Sequence, residues 1–241
     1  MIDVPFLAEA PAELPAGRSP LFIIGAGLIA LVLSLIVWPA VRFIITIAHE
    51  GSHAMTAAVM GATVHRIEVY RSRPGQPTGA TFFSNAGPFG RFFTLMAGYL
   101  GPSGFGLVGA LMLAGGHAVA VLWLSVIFLF LALINAGNFV GRIAMIIVGF
   151  VIVMMIRSTS VTHQTFFAYA WIWFLLFGGF GQVIALQVGR RDGKDAGSDA
   201  FQLRKMTFLP ASLWSGFFWL LTLAALIYGA SILLGLVHIG S

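Results

Sequence analysis

VRFIITIAHEGSHAMTAAVM, residues 41–60, decides how this chain is read. A largely apolar run from Phe43 to Ala48 passes into His49-Glu50-Gly51-Ser52-His53 and resumes at Ala54. On a helix, residues four apart share a face. His49 and His53 therefore point the same way and can offer two imidazole nitrogens to one zinc ion. Glu50 lies one residue along, close enough to reach a water at the metal without being a ligand itself. Zinc would acidify that water and polarise a scissile carbonyl, with Glu50 taking the proton and passing it to the leaving amine. The bland reading makes these three residues a self-paired polar cluster at a helix end. It is the weaker one, because two histidines and a glutamate deep in an apolar run are expensive and mark function.

The rest of the chain sets this helix in a bilayer. Its 241 residues are 59% hydrophobic and only 9% charged, and its mean hydropathy is +0.97. A soluble domain carries about 25% charged residues, so the chain lacks the polar surface to face water on every side. Cysteine is absent, which excludes disulfides, thiol nucleophiles and thiolate ligands, and leaves His, Asp or Glu to hold any metal. Residues 1–20 carry Asp3, Glu9 and Glu13 against the single base Arg18. That is not the basic start of a secretory signal, and the segment reads as a mobile tail. Residues 21–241 read as one integral-membrane domain.

Apolar segments run over Leu21–Trp38, Ala40–Met60, Arg91–Ala114, Ala118–Ala136, Phe139–Ile156, Phe166–Gln187 and Ala211–Val237. The first two together would make a helix of about 60 Å, twice the hydrocarbon thickness of about 30 Å. A break at Trp38-Pro39-Ala40-Val41-Arg42 is expected, since Pro removes a backbone donor. The fold class is therefore an all-α polytopic membrane bundle of about six to seven transmembrane helices. Between the second and third spans, Val64–Tyr70 alternates polar with apolar residues. A Pro/Gly linker (Arg73-Pro74-Gly75-Gln76-Pro77) follows, then Thr78–Phe83. This pattern predicts a small β-hairpin, seated at the interface or against protein because a bare sheet edge cannot face lipid.

Charge gives the orientation. Arg66, Arg71, Arg73 and Arg91 fall in one loop, and Arg190, Arg191, Lys194, Arg204 and Lys205 in another four spans later. These nine of thirteen bases share a side, and the positive-inside rule makes it cytoplasmic. The basic net charge of +5 thus marks topology and not a nucleic-acid partner. A catalytic zinc site needs a third protein ligand on this same side. Asp192, Asp195 and Asp199 all qualify, with Asp199 favoured because Ser198-Asp199-Ala200 begins a plausible helical turn. Glu68 reads as a polar residue on the hairpin.

The order His-Glu-Gly-Ser-His-Ala at 49–54, a hairpin, Ala-Gly-Tyr-Leu-Gly-Pro-Ser-Gly at 97–104 and Ser-Asp-Ala at 198–200 before Thr207-Phe208-Leu209-Pro210 resembles the site-2 protease family. The resemblance is to its bacterial branch of short multi-pass intramembrane zinc metallopeptidases, and it covers the chain from about Leu21 onward. It implies His49, His53 and Asp199 as ligands of one Zn2+ and Glu50 as general base. It also implies a bacterial plasma-membrane enzyme that cuts membrane-embedded or membrane-adjacent peptide substrates near the cytoplasmic face. Ser-Asp-Ala stands where many members carry Asn-x-x-Pro-x-x-x-Leu-Asp-Gly, and Ser52 where the branch commonly has Gly. The rival reading is a zinc-binding membrane transporter, sensor or scaffold that cleaves nothing, to which Glu50 would be superfluous.

Other polar residues are assigned structure. Gly98, Gly101, Gly104 and Gly109 in the third span read as a small-residue stripe for close helix packing. Asn135, Asn138 and Arg142 are assigned to the outer end of the fifth span, away from the site. His117, His163 and His238 fall at extracytoplasmic ends and need no metal, and the six tryptophans read as interface belts.

Overall fold

A computed structural model describes residues 19–36, 38–70 and 78–237. Residues 1–18 of the expected tail, the Arg73–Pro77 linker and His238 lie outside the described residues. Helices α1 (Pro20–Leu35) and α2 (Trp38–Val59) are followed by strands β1 (Thr63–Val69) and β2 (Gly79–Ser84). Then come α3 (Gly87–Ala114), α4 (Ala118–Ile134), α5 (Phe139–Ser158), α6 (Val161–Arg191), α7 (Asp199–Thr207) and α8 (Ala211–Leu233). The helical membrane bundle with one small hairpin is as the sequence predicts. Helix α1 ends at Leu35 and α2 begins at Trp38, so the two are separate helices, but the expected break segment Trp38–Arg42 forms the first turn of α2, where a proline is tolerated.

Helices α3, α5, α6 and α8 are long and apolar enough to cross a membrane, while α1 and α4 are apolar but shorter. Large apolar side chains cover the outside: Phe130 and Phe150 are each 60% exposed and Leu220 59%, a surface suited to lipid and not to water. At 31 residues, α6 is about 46 Å long. It is therefore longer than a hydrocarbon layer of about 30 Å is thick, and Arg190 and Arg191 lie in its last turn.

Between helices already surrounded by hydrocarbon, close packing replaces the hydrophobic effect as the source of association. At Gly109, a Cβ would lie 2.1 Å from Ile172 Cδ1 on α6, and at Gly101 it would lie 1.8 Å from Ser52 Oγ on α2. Gly101 thus makes the room in which Ser52 sits, its hydroxyl donating to the Ala48 carbonyl at 2.6 Å. Gly104 departs from the expected stripe, since no described residue approaches within 4 Å of a Cβ there.

The hairpin is antiparallel, with Ile67 opposite Thr81 and Val69 opposite Gly79, and a bulge between Val64 and Arg66. Ile67 and Val69 are buried against α2. The outer edge of β1 is closed by the α4–α5 linker. Ile67 N–H donates to the Asn135 carbonyl and Gly137 N–H to the Ile67 carbonyl, both at 2.7 Å. The Asn138 amide continues this edge, donating to the Val69 carbonyl at 2.8 Å and accepting from Val69 N–H at 3.2 Å. The assignment of Asn135, Asn138 and Arg142 to the far end is therefore wrong. Two helices, α3 and α4, bring the chain back to the hairpin's side, and Arg142 Nε locks the linker by donating to the Ala136 carbonyl at 3.0 Å.

Candidate metal centre

Three ligand atoms converge. His49 Nε2 lies 3.1 Å from His53 Nε2, and Asp199 Oδ2 lies 3.2 Å from the former and 3.3 Å from the latter. His53 and Asp199 are buried and His49 nearly so. The two histidines meet because α2 spaces them one turn apart. Asp199 arrives at the first position of α7, fixed there by Ser198, whose Oγ caps the helix by accepting from Phe201 N–H at 3.3 Å.

The three atoms are arranged as a donor set for a cation. The Nδ1 of His53 donates to the Thr94 carbonyl at 2.6 Å, which leaves Nε2 as a bare lone pair in the neutral ring. That lone pair faces a second imidazole nitrogen and a carboxylate oxygen. Asp199 Oδ2 is itself buried without a hydrogen bond of good geometry. Four-coordinate zinc with ligands at about 2.0 Å places neighbouring ligand atoms about 3.3 Å apart, which matches all three separations. The residues fit a single zinc ion held by three protein donors.

Of the other acidic candidates, Asp192 pairs with Lys194 at 3.3 Å and Asp195 with Arg190 at 3.3 Å, so both belong to the basic loop. Glu68 is engaged on the hairpin, accepting from Arg66 Nε at 2.9 Å and from the Tyr70 hydroxyl. Partial burial and that bond to Glu68 push the Tyr70 phenol up to about 12.

Glu50 is only 5% exposed. Its Oε2 lies 2.8 Å from Thr81 Oγ1, and its backbone carbonyl 2.9 Å from the same hydroxyl. Gly79 backs onto the same side chain: a Cβ there would stand 2.7 Å from both Glu50 Cγ and Oε1. The Tyr99 ring packs edge-on against His49, with centroids 4.8 Å apart, and stacks on Phe218. Sequence reasoning missed Thr81, Gly79 and Thr94. One signal was present, since an isolated glycine inside a strand pattern marks a close backbone approach; the Thr94 contact uses a main-chain oxygen and carries no residue signature.

A family model described as peptidase M50B-like matches residues 22–229. No curated protein and no solved structure matches the chain.

Proposed function

The chain belongs to the peptidase M50B-like family, a site-2 protease family, and from that membership we propose that it is a zinc-dependent intramembrane endopeptidase. The observation that carries the proposal is the triangle of His49 Nε2, His53 Nε2 and Asp199 Oδ2 with Glu50 beside it on the same helix. These three residues would hold one zinc ion, which supplies Lewis acidity toward a carbonyl oxygen and toward water. Glu50 takes the proton of the attacking water and returns it to the leaving amine. The site lies toward the cytoplasmic face of a bacterial plasma membrane, on the side of both basic loops.

The hairpin supports an extended membrane-embedded or membrane-adjacent peptide as substrate. Ile67 and Val69 spend their N–H and C=O groups on the α4–α5 linker. By the alternation of an antiparallel ladder, their partners Thr81 and Gly79 turn theirs away from β1. That second edge of β2 has no partner strand among the described residues, and a groove of about 780 Å³ runs beside Thr81–Ser84 toward Gln202 and Met206. A substrate chain added there brings its amides to the zinc site.

The decisive experiment pairs metal content with cleavage. Glu50→Gln should keep one zinc per chain and lose cleavage by about 10²-fold or more, the scale of a general base. His49→Ala, His53→Ala and Asp199→Ala should each lose the metal. Full cleavage by Glu50→Gln would overturn the proposal, and unchanged physiological activity in that variant would favour a transporter, sensor or scaffold.

A further inference from the structure

We infer that Thr81 is the positioning residue that aims the Glu50 carboxylate, and that β2 thereby ties substrate docking to the orientation of the general base. The inference rests on the protease reading above. A glutamate reaches its target through several rotatable bonds, so a base on a helix needs an outside contact to fix it. β2 supplies that contact on both sides: the Thr81 hydroxyl at 2.8 Å from Oε2, and the bare Gly79 backbone against Cγ and Oε1.

Thr81 is well held for this task. Its branched Cβ restricts χ1, and its partner Ile67 is fully buried. The hydroxyl also lies 2.9 Å from the Glu50 carbonyl, which references it to the α2 backbone as well as to the side chain. One turn earlier on α2, Thr46 Oγ1 meets Thr78 Oγ1 at 3.1 Å, fixing the approach to the strand. The main chain of Thr81 faces the open edge while its side chain faces Glu50. A peptide seated on that edge is thus placed in register with the base through a single residue.

The test uses purified full-length protein, zinc-loaded, with the best-cleaved member of a quenched-fluorescent library of apolar membrane-segment peptides. Thr81→Val keeps the shape and removes the donor. It should lower kcat by about 10- to 100-fold, the usual cost of losing a supporting hydrogen bond. KM should stay within about twofold, because the docking amides are untouched. Zinc content should equal that of wild type. Thr81→Ser, which restores the donor without the methyl, should recover at least about a third of the wild-type kcat. Simple packing predicts the reverse order, with Val tolerated and Ser impaired. Near-normal kcat in Thr81→Val, zinc loss in it, or equal damage in both variants overturns the positioning role and leaves the protease reading standing. Failure of the zinc-loaded wild type to cleave any library member overturns the protease reading and this inference with it.

Discussion

Gly98 is where the backbone of α3 touches the candidate metal centre. A Cβ there would stand 2.4 Å from His53 Cε1 and Nε2 and 2.7 Å from Asp199 Oδ2, so one methyl group would push apart two members of the cluster that arrive from different helices. Gly98→Ala should weaken zinc binding by at least about tenfold, read by competition with a chelator. Gly104→Ala, with no described residue within 4 Å, should bind as wild type does, and equal loss in both would mean that α3 tolerates no alanine for general packing reasons. The sequence presents these two glycines as members of one stripe. Six residues at 100° each leave Gly104 about 120° around the helix from Gly98, and only the neighbours of α3 reveal which face meets the histidines. The contrast between His53 and Asp199 has the same cause. The His49/His53 pair is legible because one helical turn sets its geometry, whereas Asp199 is favoured over Asp195 and Asp192 only by the helical turn it begins, until the α6–α7 loop is folded and the other two find basic partners.

At the scale of elements, the hairpin is a two-stranded sheet, too small to be stable alone, and it is held by what flanks it. Asn138 does three things with one amide. It accepts from Val69 N–H, donates to the Val69 carbonyl, and caps α5 by accepting from Gly141 N–H at 3.2 Å. Asn138→Ala should cost about 1–3 kcal/mol of local stability, from a lost cap and two unpaired strand groups. The readout is faster hydrogen exchange at the Val69 amide with little change in the helices. Asn138→Asp, which keeps the acceptor and loses the donor, should fall between. Unchanged exchange in the alanine variant would show that the main-chain bonds from Asn135 and Gly137 suffice. The alternation of Val64–Tyr70 made the hairpin legible, but its anchor was not. The anchor depends on α4 returning the chain to the hairpin's side, a fact about the path of the chain that local pattern does not carry.

For the whole molecule, the question is which side of the membrane the candidate metal centre faces, and here composition and path combine. Helices α3 and α4 carry the chain from the hairpin to residues 115–117 and back, and α5 and α6 carry it to residues 159–160 and then to the basic loop after Arg191. Hairpin and basic loop therefore share one side, and the two short turns share the other. The proposed orientation, drawn from the positive-inside rule, has the first pair on the cytoplasmic side. Because the chain has no cysteine, each introduced thiol is a unique reporter. His65→Cys, Lys194→Cys, His117→Cys and Ser160→Cys all replace exposed residues. In intact cells, a membrane-impermeant maleimide should label the thiols at 117 and 160, and those at 65 and 194 only after the membrane is opened. The mirror-image pattern would reverse the orientation while leaving the bundle and the triangle intact. A split within either pair would contradict the helix path itself, because 65 and 194 both flank elements that meet at the site: β1 continues from α2, which carries His49 and His53, and the loop at 194 leads into α7, which carries Asp199. Those two reporters must share a side if three ligand atoms are to converge to within 3.3 Å.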